Sequence, residues 1–456
     1  MPDKKKGAFY YGWVIVAIAF ASMAIAYALR YSFSVFSVPL EKEFAWSRTS
    51  IYTAFSIVIL IYGFSSPIIG KLFDRYGPRK LFPIGASILA LGLFGTSKTT
   101  ELWHLYLFSG IAALGMSSLG YVTNGTLVST WFVKKRGTAI GAAVSGTGFG
   151  MFVIIGFLAP WVIRHYGFRW AYIILGVIAV VVIAPLTAIF LRHRPEDMGL
   201  LPDGEIDDTE PEKTDGTKRE GKKEKIETIV DRAWAETEWT LSRALKTHRF
   251  WALFLAVTFF PFSLYAVMMH QVQHAVDQGF NITIASSAFG MMGGFGMVGK
   301  FGWGFISDRI GREVTYSLGI ICNIIAVLIF MTLRDPSQVR MLYTFSFFFG
   351  LSYGIAQPIV TAMVADLFQG RNLGSILGFI GIGVAIGGAL GPVFSGYLFD
   401  VTGSYRIAFT VAILIIILSA VTVWVAGPRK VRLVAGKAKA ASARLQWVPD
   451  DQKASG

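Results

Sequence analysis

Carboxylates are scarce through most of this chain. Of its 28 Asp and Glu residues, 15 fall between Glu196 and Glu238, which leaves 13 for everything else in 456 residues. Charged residues of both signs make up only 15% of the sequence and hydrophobic ones 54%, whereas soluble domains carry roughly 25% charged residues. That balance excludes an ordinary soluble domain. There is one cysteine, Cys322, in an apolar run, so an internal disulfide and a cysteine-based metal site are both excluded. The sequence contains no Walker A loop, no His-Glu-x-x-His pair and no Gly-x-Ser-x-Gly elbow, and so gives no support to an enzyme or to a bound cofactor. The formal charge of +14 does not point to nucleic acid, because the basic residues flank hydrophobic segments in the manner of the positive-inside rule.

What the chain has in abundance is long apolar runs. A helix needs about 20 apolar residues to cross a bilayer. On that rule six spans precede the acidic stretch, at roughly 11–37, 50–70, 80–97, 103–130, 137–162 and 169–191, and six follow it, at roughly 249–272, 284–306, 314–333, 339–365, 373–398 and 404–426. The first run follows a basic start but exceeds the roughly 7–15 apolar residues of a signal peptide, so it is read as a retained span. Lys4–Lys6, Lys71, Arg75, Arg79, Lys80, Lys134–Arg136, Arg309, Arg312, Arg371 and the tail from Arg429 fall on one side of the alternation. Both termini are therefore expected in the cytoplasm of a cell (inner or plasma) membrane. The domain reading is a six-helix bundle over 1–191, a cytoplasmic and largely disordered linker over 192–248, a second bundle over 249–428, and a basic tail over 429–456. The stretch "RAWAETEWTLSRAL" is either a surface amphipathic helix or a plain lead-in to the seventh span.

A repeat organises these spans. "GKLFDRYGPRK" follows the second span and "GFISDRIGRE" follows the eighth, with Asp74 and Asp308 separated by 234 residues (308 − 74). "KKRGTAIGAAVSGTGFG" and "QGRNLGSILGFIGIGVAIGGALGP" follow the fourth and tenth, with Arg136 and Arg371 separated by 235 (371 − 136). The small residues Gly70 and Gly304 suit close helix approach. Asp74 with Arg75, and Asp308 with Arg309, read as a duplicated cytoplasmic gating motif whose carboxylates meet helix-start N–H groups or basic side chains in one conformation. A tight turn with membrane-flanking arginines is the plainer alternative.

On these motifs the chain resembles the major facilitator superfamily. The resemblance implies an all-α membrane protein of 12 transmembrane helices in two six-helix bundles, related by an axis along the membrane normal, with substrate bound between them near the midplane. "YGWVIVAIAF", "YALRYSFSVFSVPLEKEFAWSRT", "WFVKKRGTAIGAAVSGTGFG" and "GPVFSGYLFDVTGSYRIAF" resemble, more narrowly, the monocarboxylate transporters and their bacterial relatives, including oxalate–formate exchangers.

No Asp or Glu falls near the middle of a span; the charges that do are Arg30 and Lys300. Two cations without a carboxylate make a positive interior, which an anionic substrate would neutralise. The resemblance implies a cation in the eighth span, usually arginine, one turn before the motif glycine. Lys300, four residues before Gly304, holds that position, with lysine's point charge in place of a bidentate grip. Where many members carry an aspartate one turn earlier, this chain has Gly296. The plainer readings are that Lys300 snorkels to the interface and that Arg30 anchors at the outer one. Tyr27 and Tyr31, Tyr121 and Asn124, and Tyr353 and Gln357 are candidate substrate contacts, or simply interhelical hydrogen bonds. His270 and His274 are candidate proton carriers, or surface residues. The sum is a secondary carrier of small organic anions such as lactate, pyruvate, oxalate or formate, working as a monomer and coupled to protons or a counter-anion. The alternatives are an exporter of drugs or other small molecules and a transport-inactive sensor.

Overall fold

A computed structural model of the chain describes residues 10–132, 135–204, 229–369, 372–434 and 436–438. Lys4–Lys6, Lys134, Arg371, the centre of the acidic stretch and most of the tail lie outside the described residues. Among those described, regular structure is helical, apart from one isolated antiparallel bridge between Ile229 and Arg432.

Eleven continuous helices are long and apolar enough to cross a bilayer. The fifth, Gly137–Phe190, has 54 residues. Drawn out straight it would reach about 80 Å, well over twice the roughly 30 Å hydrocarbon core. Gly167, at φ +84°, turns it back on itself, which makes two crossings of it and twelve in all. We number them α1 (Gly12–Phe44), α2 (Arg48–Tyr76), α3 (Pro78–Ser97), α4 (Leu102–Trp131), α5 (137–166), α6 (168–190), α7 (His248–Asp277), α8 (Ile282–Ile310), α9 (Arg312–Met331), α10 (Val339–Leu367), α11 (Leu373–Thr402) and α12 (Arg406–Ala426). Several run past the apolar stretches expected from sequence, because side-chain caps hold their ends. Ser47, Thr247 and Asn281 accept from the N–H groups of Ser50, Phe250 and Thr283 and start α2, α7 and α8.

The extension corrects the motif. Asp74 and Asp308 lie in the last turns of α2 and α8, not in loops. The links to α3 and α9 are single residues, Gly77 at φ +72° and Gly311 at φ +104°, both with ψ near 160°. That region is essentially confined to glycine. The segment 232–245 is neither a free amphipathic helix nor a plain lead-in. It forms two short helices, Arg232–Glu236 and Leu241–Ala244, packed on the bundle: Trp234 Nε1 donates to Leu367 O at 2.7 Å and Trp239 meets the Phe368 ring.

Packing within each half rests on missing side chains. A Cβ at Gly150 of α5 would lie 1.9 Å from Ala24 O of α1, and one at Gly387 of α11 would lie 1.9 Å from Thr258 O of α7. The two halves thus use the same device on corresponding helix pairs.

Between the halves run two seams, α2 against α11 and α5 against α8. The first is closed from Gly396 against Thr49, through Gly388 against Ile59, to Gly63 against Ala385. Continuing along the same helix faces, added Cβ atoms at Gly70, Gly381 and Gly378 meet nothing within 4 Å. The second seam is closed at Gly156–Gly290 and Gly148–Gly293, loosens at Gly141 with Phe301 at 3.5 Å, and is open at Gly137 and Gly304. Both seams are shut on the side away from the chain ends, called distal here, and parted on the terminal side. The close approach expected at Gly70 and Gly304 is therefore absent in this state.

Gly150→Leu and Gly387→Leu are each expected to cost at least about 2 kcal/mol, beyond ordinary overpacking because the obstacle is backbone, whereas Gly378→Ala, at an open position inside a helix, should stabilise by up to about 1 kcal/mol. Thermal unfolding of the detergent-purified protein checks both.

Candidate functional site

The site is built on α1, where the chain turns at Ser32 between the helices Gly12–Tyr31 and Phe33–Phe44. Arg30 lies just before that turn and is 6% exposed. It is buried between the halves, not anchored at an interface. Its guanidinium carbon sits 4.9 Å from the ring centroid of Tyr62, and 5.6, 5.8 and 5.9 Å from those of Tyr27, Tyr31 and Tyr265. Such ring faces attract a cation by about 2 kcal/mol when desolvated, less than the several kcal/mol lost by taking an ion out of water. The in-plane donors are poorly served. Nη2 donates to Tyr265 Oη over 3.5 Å, and Nε is buried with no hydrogen-bond acceptor among the described residues.

Hydroxyls tie this cage together across both halves. Tyr27 bonds Tyr62 at 3.1 Å, Tyr31 bonds Tyr265 at 3.4 Å, and Tyr31 bonds Tyr353 at 3.1 Å. Tyr353 leads to the second cation, with its ring centroid 4.9 Å from Lys300 Nζ. That ammonium donates to Thr147 Oγ1 of α5 at 2.6 Å. It therefore points across the α5–α8 seam, not along its helix towards terminal-side water. Gly296, one turn earlier, has a physical reason: a Cβ there would meet Tyr353 Cδ1 at 2.6 Å. No carboxylate among the described residues pairs with Arg30 or Lys300.

The other candidates fall in different places. α4 is interrupted at Leu119–Gly120, and Asn124 Nδ2 serves that break by donating to Leu119 O at 2.9 Å and Gly120 O at 3.0 Å. Asn124 thus spends its donors on backbone. Tyr121 touches the cage through its backbone, donating its N–H to Tyr62 Oη at 3.3 Å. The side chain of Gln357 lies outside the described residues.

His270 is buried and His274 half-buried, and both belong to the distal seal. His270 sits at the break in α7 between His248–Met268 and Gln271–Asp277. Its Nε2 is 2.8 Å from Pro392 O, which only accepts, so Nε2 carries the proton and Nδ1 accepts the Tyr405 hydroxyl at 2.9 Å. His274 packs among Phe330, Tyr405 and Phe409. The hub of the seal is Arg48, at the start of α2. It grips Asp277 with Nη1 at 2.6 Å and Nη2 at 2.8 Å, reaches Glu41 with Nε at 3.2 Å, and donates to Tyr405 Oη at 2.8 Å. Asp400 of α11 accepts the N–H groups of Arg48 and Thr49 at 3.0 and 2.8 Å, so the second half caps a helix of the first.

On the terminal side the duplicated motif makes no bridge between halves among the described residues. Asp308 pairs with Arg312 at 2.6 Å and Arg312 with Asp366 at 3.1 Å, all in the second half. Asp74 has no ion-pair partner among the described residues. Arg75 lies over Tyr76 and Arg309 over Phe305.

Sequence reasoning missed Tyr62, Tyr265, Thr147 and the Arg48 cluster. The motif spacing held a signal for one of them, since Tyr31 and Tyr265 are also 234 residues apart.

The chain is 24% identical to monocarboxylate transporter 13 of Bos taurus over 404 residues, covering 88% of this chain and 86% of that protein. Identity to human monocarboxylate transporter 2 is 24% over 443 residues, covering 95% and 89%. It is 23% to the MFS-type transporter YcxA of Bacillus subtilis over 419 residues, covering 90% and 93%. Among solved structures, a bacterial homologue of the human lysosomal transporter Spinster, in an inward-facing and occupied conformation, superposes with a TM-score of 0.65 at 14% identity, over 92% of this chain and 97% of that one. The family model of the Major Facilitator Superfamily matches residues 18–357 and 297–453. With that match over its length, its helical bundles and its duplicated motif, the chain belongs to the Major Facilitator Superfamily of membrane transporters.

Proposed function

We propose that this transporter carries small organic anions of the monocarboxylate kind, such as lactate and pyruvate, across a cell membrane by alternating access. The observation that carries the reading is Arg30: a permanently charged group, caged by tyrosine rings between the halves, whose buried Nε lacks an acceptor among the described residues. A carboxylate entering from the parted terminal side supplies acceptors in the guanidinium plane and neutralises the charge. Tyrosine hydroxyls and Lys300 offer further donors. Two of the relatives named above are monocarboxylate transporters, which agrees with this class. Cationic substrates are disfavoured by the same charge, and a sensor without transport gains no support from a site that opens to one side. By the distribution of lysine and arginine, the terminal side faces the cytoplasm.

The distal seal sets the order of events. Outward opening requires Arg48 to leave Asp277 and Tyr405, because they belong to opposite halves, whereas His270, Tyr405 and Pro392 share one half and move together. Arg48, His274 and Asp277 are the charged or titratable groups around His270, with the rings of Tyr52 and Tyr405 against it. Once the arginine withdraws, a proton can replace its charge at His270. That assigns proton coupling to the seal instead of the cage.

Arg30→Gln, shown folded by its chromatographic profile, should lose at least ten-fold of labelled lactate and pyruvate uptake into liposomes. Lys300→Ala should lose most uptake and Lys300→Arg should recover part of it; normal uptake by folded Arg30→Gln refutes the site. For coupling, His270→Gln should keep lactate–lactate exchange across equal pH while losing at least five-fold of the accumulation driven by an imposed pH gradient. Unchanged gradient-driven accumulation removes His270 from the cycle.

A further inference from the structure

The terminal-side ends of α7 and α12 frame a groove that lies outside both the cage and the seal. It is a cavity of about 620 Å³, lined chiefly by His248 at the start of α7, by Ile417, Val421, Trp424 and Val425 of α12, and by Lys430. Ile417, Val421 and Val425 recur every fourth residue and so form one apolar stripe, about 12 Å long. The stripe faces outward from a spanning helix, with Val421 and Val425 51% and 53% exposed. The basic end of the groove has its own construction. α12 stops at Gly427, at φ +57°, and the turn Pro428–Lys430 follows. A Cβ at Gly427 would lie 3.3 Å from Lys430 Cδ, so the lysine stem doubles back against the helix end. Trp424 is held as a wall by its Nε1, which donates to Ser317 Oγ of α9 at 2.9 Å. Lys430 makes no ion pair among the described residues. Beside it Arg429 lies 4.2 Å over the Trp424 ring, its Nη1 buried with no acceptor among the described residues. The corresponding helix pair of the first half, α1 and α6, has a smaller groove of about 290 Å³, lined by Val14, Ala17, Ile18, Leu186 and Phe190 and by no charged residue. The basic end is therefore particular to the second half and not a by-product of the repeat.

We propose that this groove binds one anionic phospholipid, its headgroup phosphate on Lys430 and His248 and an acyl chain along Ile417, Val421 and Val425. Each part of the groove asks for a different part of that molecule. A free phosphate would meet the ammonium and the imidazole N–H but leave the stripe uncovered, and a neutral hydrocarbon chain would leave the charge unanswered. A zwitterionic headgroup brings its own cation close to Lys430 and Arg429, a like-charge contact that a net-negative headgroup avoids. Basic pockets between spanning helices at a membrane surface suit such headgroups, and a tryptophan at that depth is at home in the interface. Because α7 and α12 belong to one half, the groove travels with that half and keeps its shape while the halves alternate.

The test is native mass spectrometry of the full-length protein, purified in detergent and stripped of lipid, with phosphatidylglycerol, phosphatidylcholine and glycerol 3-phosphate as probes. One phosphatidylglycerol should be retained per chain, phosphatidylcholine should bind at least ten-fold more weakly, and glycerol 3-phosphate should not displace the bound lipid. Lys430→Gln should weaken phosphatidylglycerol binding about five-fold, the worth of one basic side chain at a membrane surface. Val421→Trp, which fills the stripe and keeps every charge, should weaken it at least as much. Lys80→Gln, at an exposed lysine on the terminal side of the first half, should leave it unchanged. Equal retention of phosphatidylcholine, displacement by glycerol 3-phosphate, unchanged affinity in either groove variant, or an equal loss in Lys80→Gln overturns the proposal. The wild-type ranking holds whether or not a variant folds, and binding is read without transport, so the result is independent of the anion-carrier reading.

Discussion

The constraint on which the structure turns is a guanidinium held out of water without a carboxylate. Arg30 cannot shed its proton to escape the cost of burial, so the surroundings must supply the compensation. They do so with four tyrosine rings drawn from α1, α2 and α7. Ring faces attract the charge but leave the in-plane donors unanswered, which makes the cage a partial host. The Arg30 Nε is left without an acceptor among the described residues.

The same economy governs the rest of the interface. On the distal side the halves are joined by an arginine shared between two carboxylates and by an aspartate that caps its neighbour's helix. These contacts are few, and their carboxylates stay partly open to solvent. On the terminal side the same helix faces that touch in the middle of the bundle separate, and among the described residues the motif acids stay within their own half or without an ion-pair partner. One seam shut and its continuation open along a single helix face is what a rigid tilt of two bodies produces; local unwinding would not preserve the face. The single-residue links at Gly77 and Gly311 add little slack between α2 and α3 or between α8 and α9.

Much of this was legible in the sequence, and for definite reasons. Twelve crossings followed from apolar run length, and the gap left between the fifth and sixth runs, 163–168, contains Gly167, where the structure makes its turn. The repeat was readable from Asp74 and Asp308, while their position inside helices was not, because charged residues at a helix end look like a loop when membrane thickness is the only ruler. Arg30 and Lys300 stood out as cations among apolar neighbours. Tyr62 and Tyr265 did not, since a tyrosine in a span is as readily an interhelical contact as a ligand. His270 looked like a candidate for the outer surface until tertiary packing supplied Pro392 and Tyr405 from α11 and the start of α12. Arg48 was not singled out, because the carboxylates that meet it, Glu41, Asp277 and Asp400, are scattered through the chain.

The ring of Tyr353 fills the space beside Gly296, one turn before Lys300. A carrier with this arrangement cannot acquire an acid there by a single codon change, since the ring blocks any side chain. Making room would mean giving up the aromatic at 353, and with it the hydroxyl that joins the eighth helix's cation to the first helix's tyrosine. An acid at 296 and the tyrosine bridge from 353 therefore exclude each other in this packing.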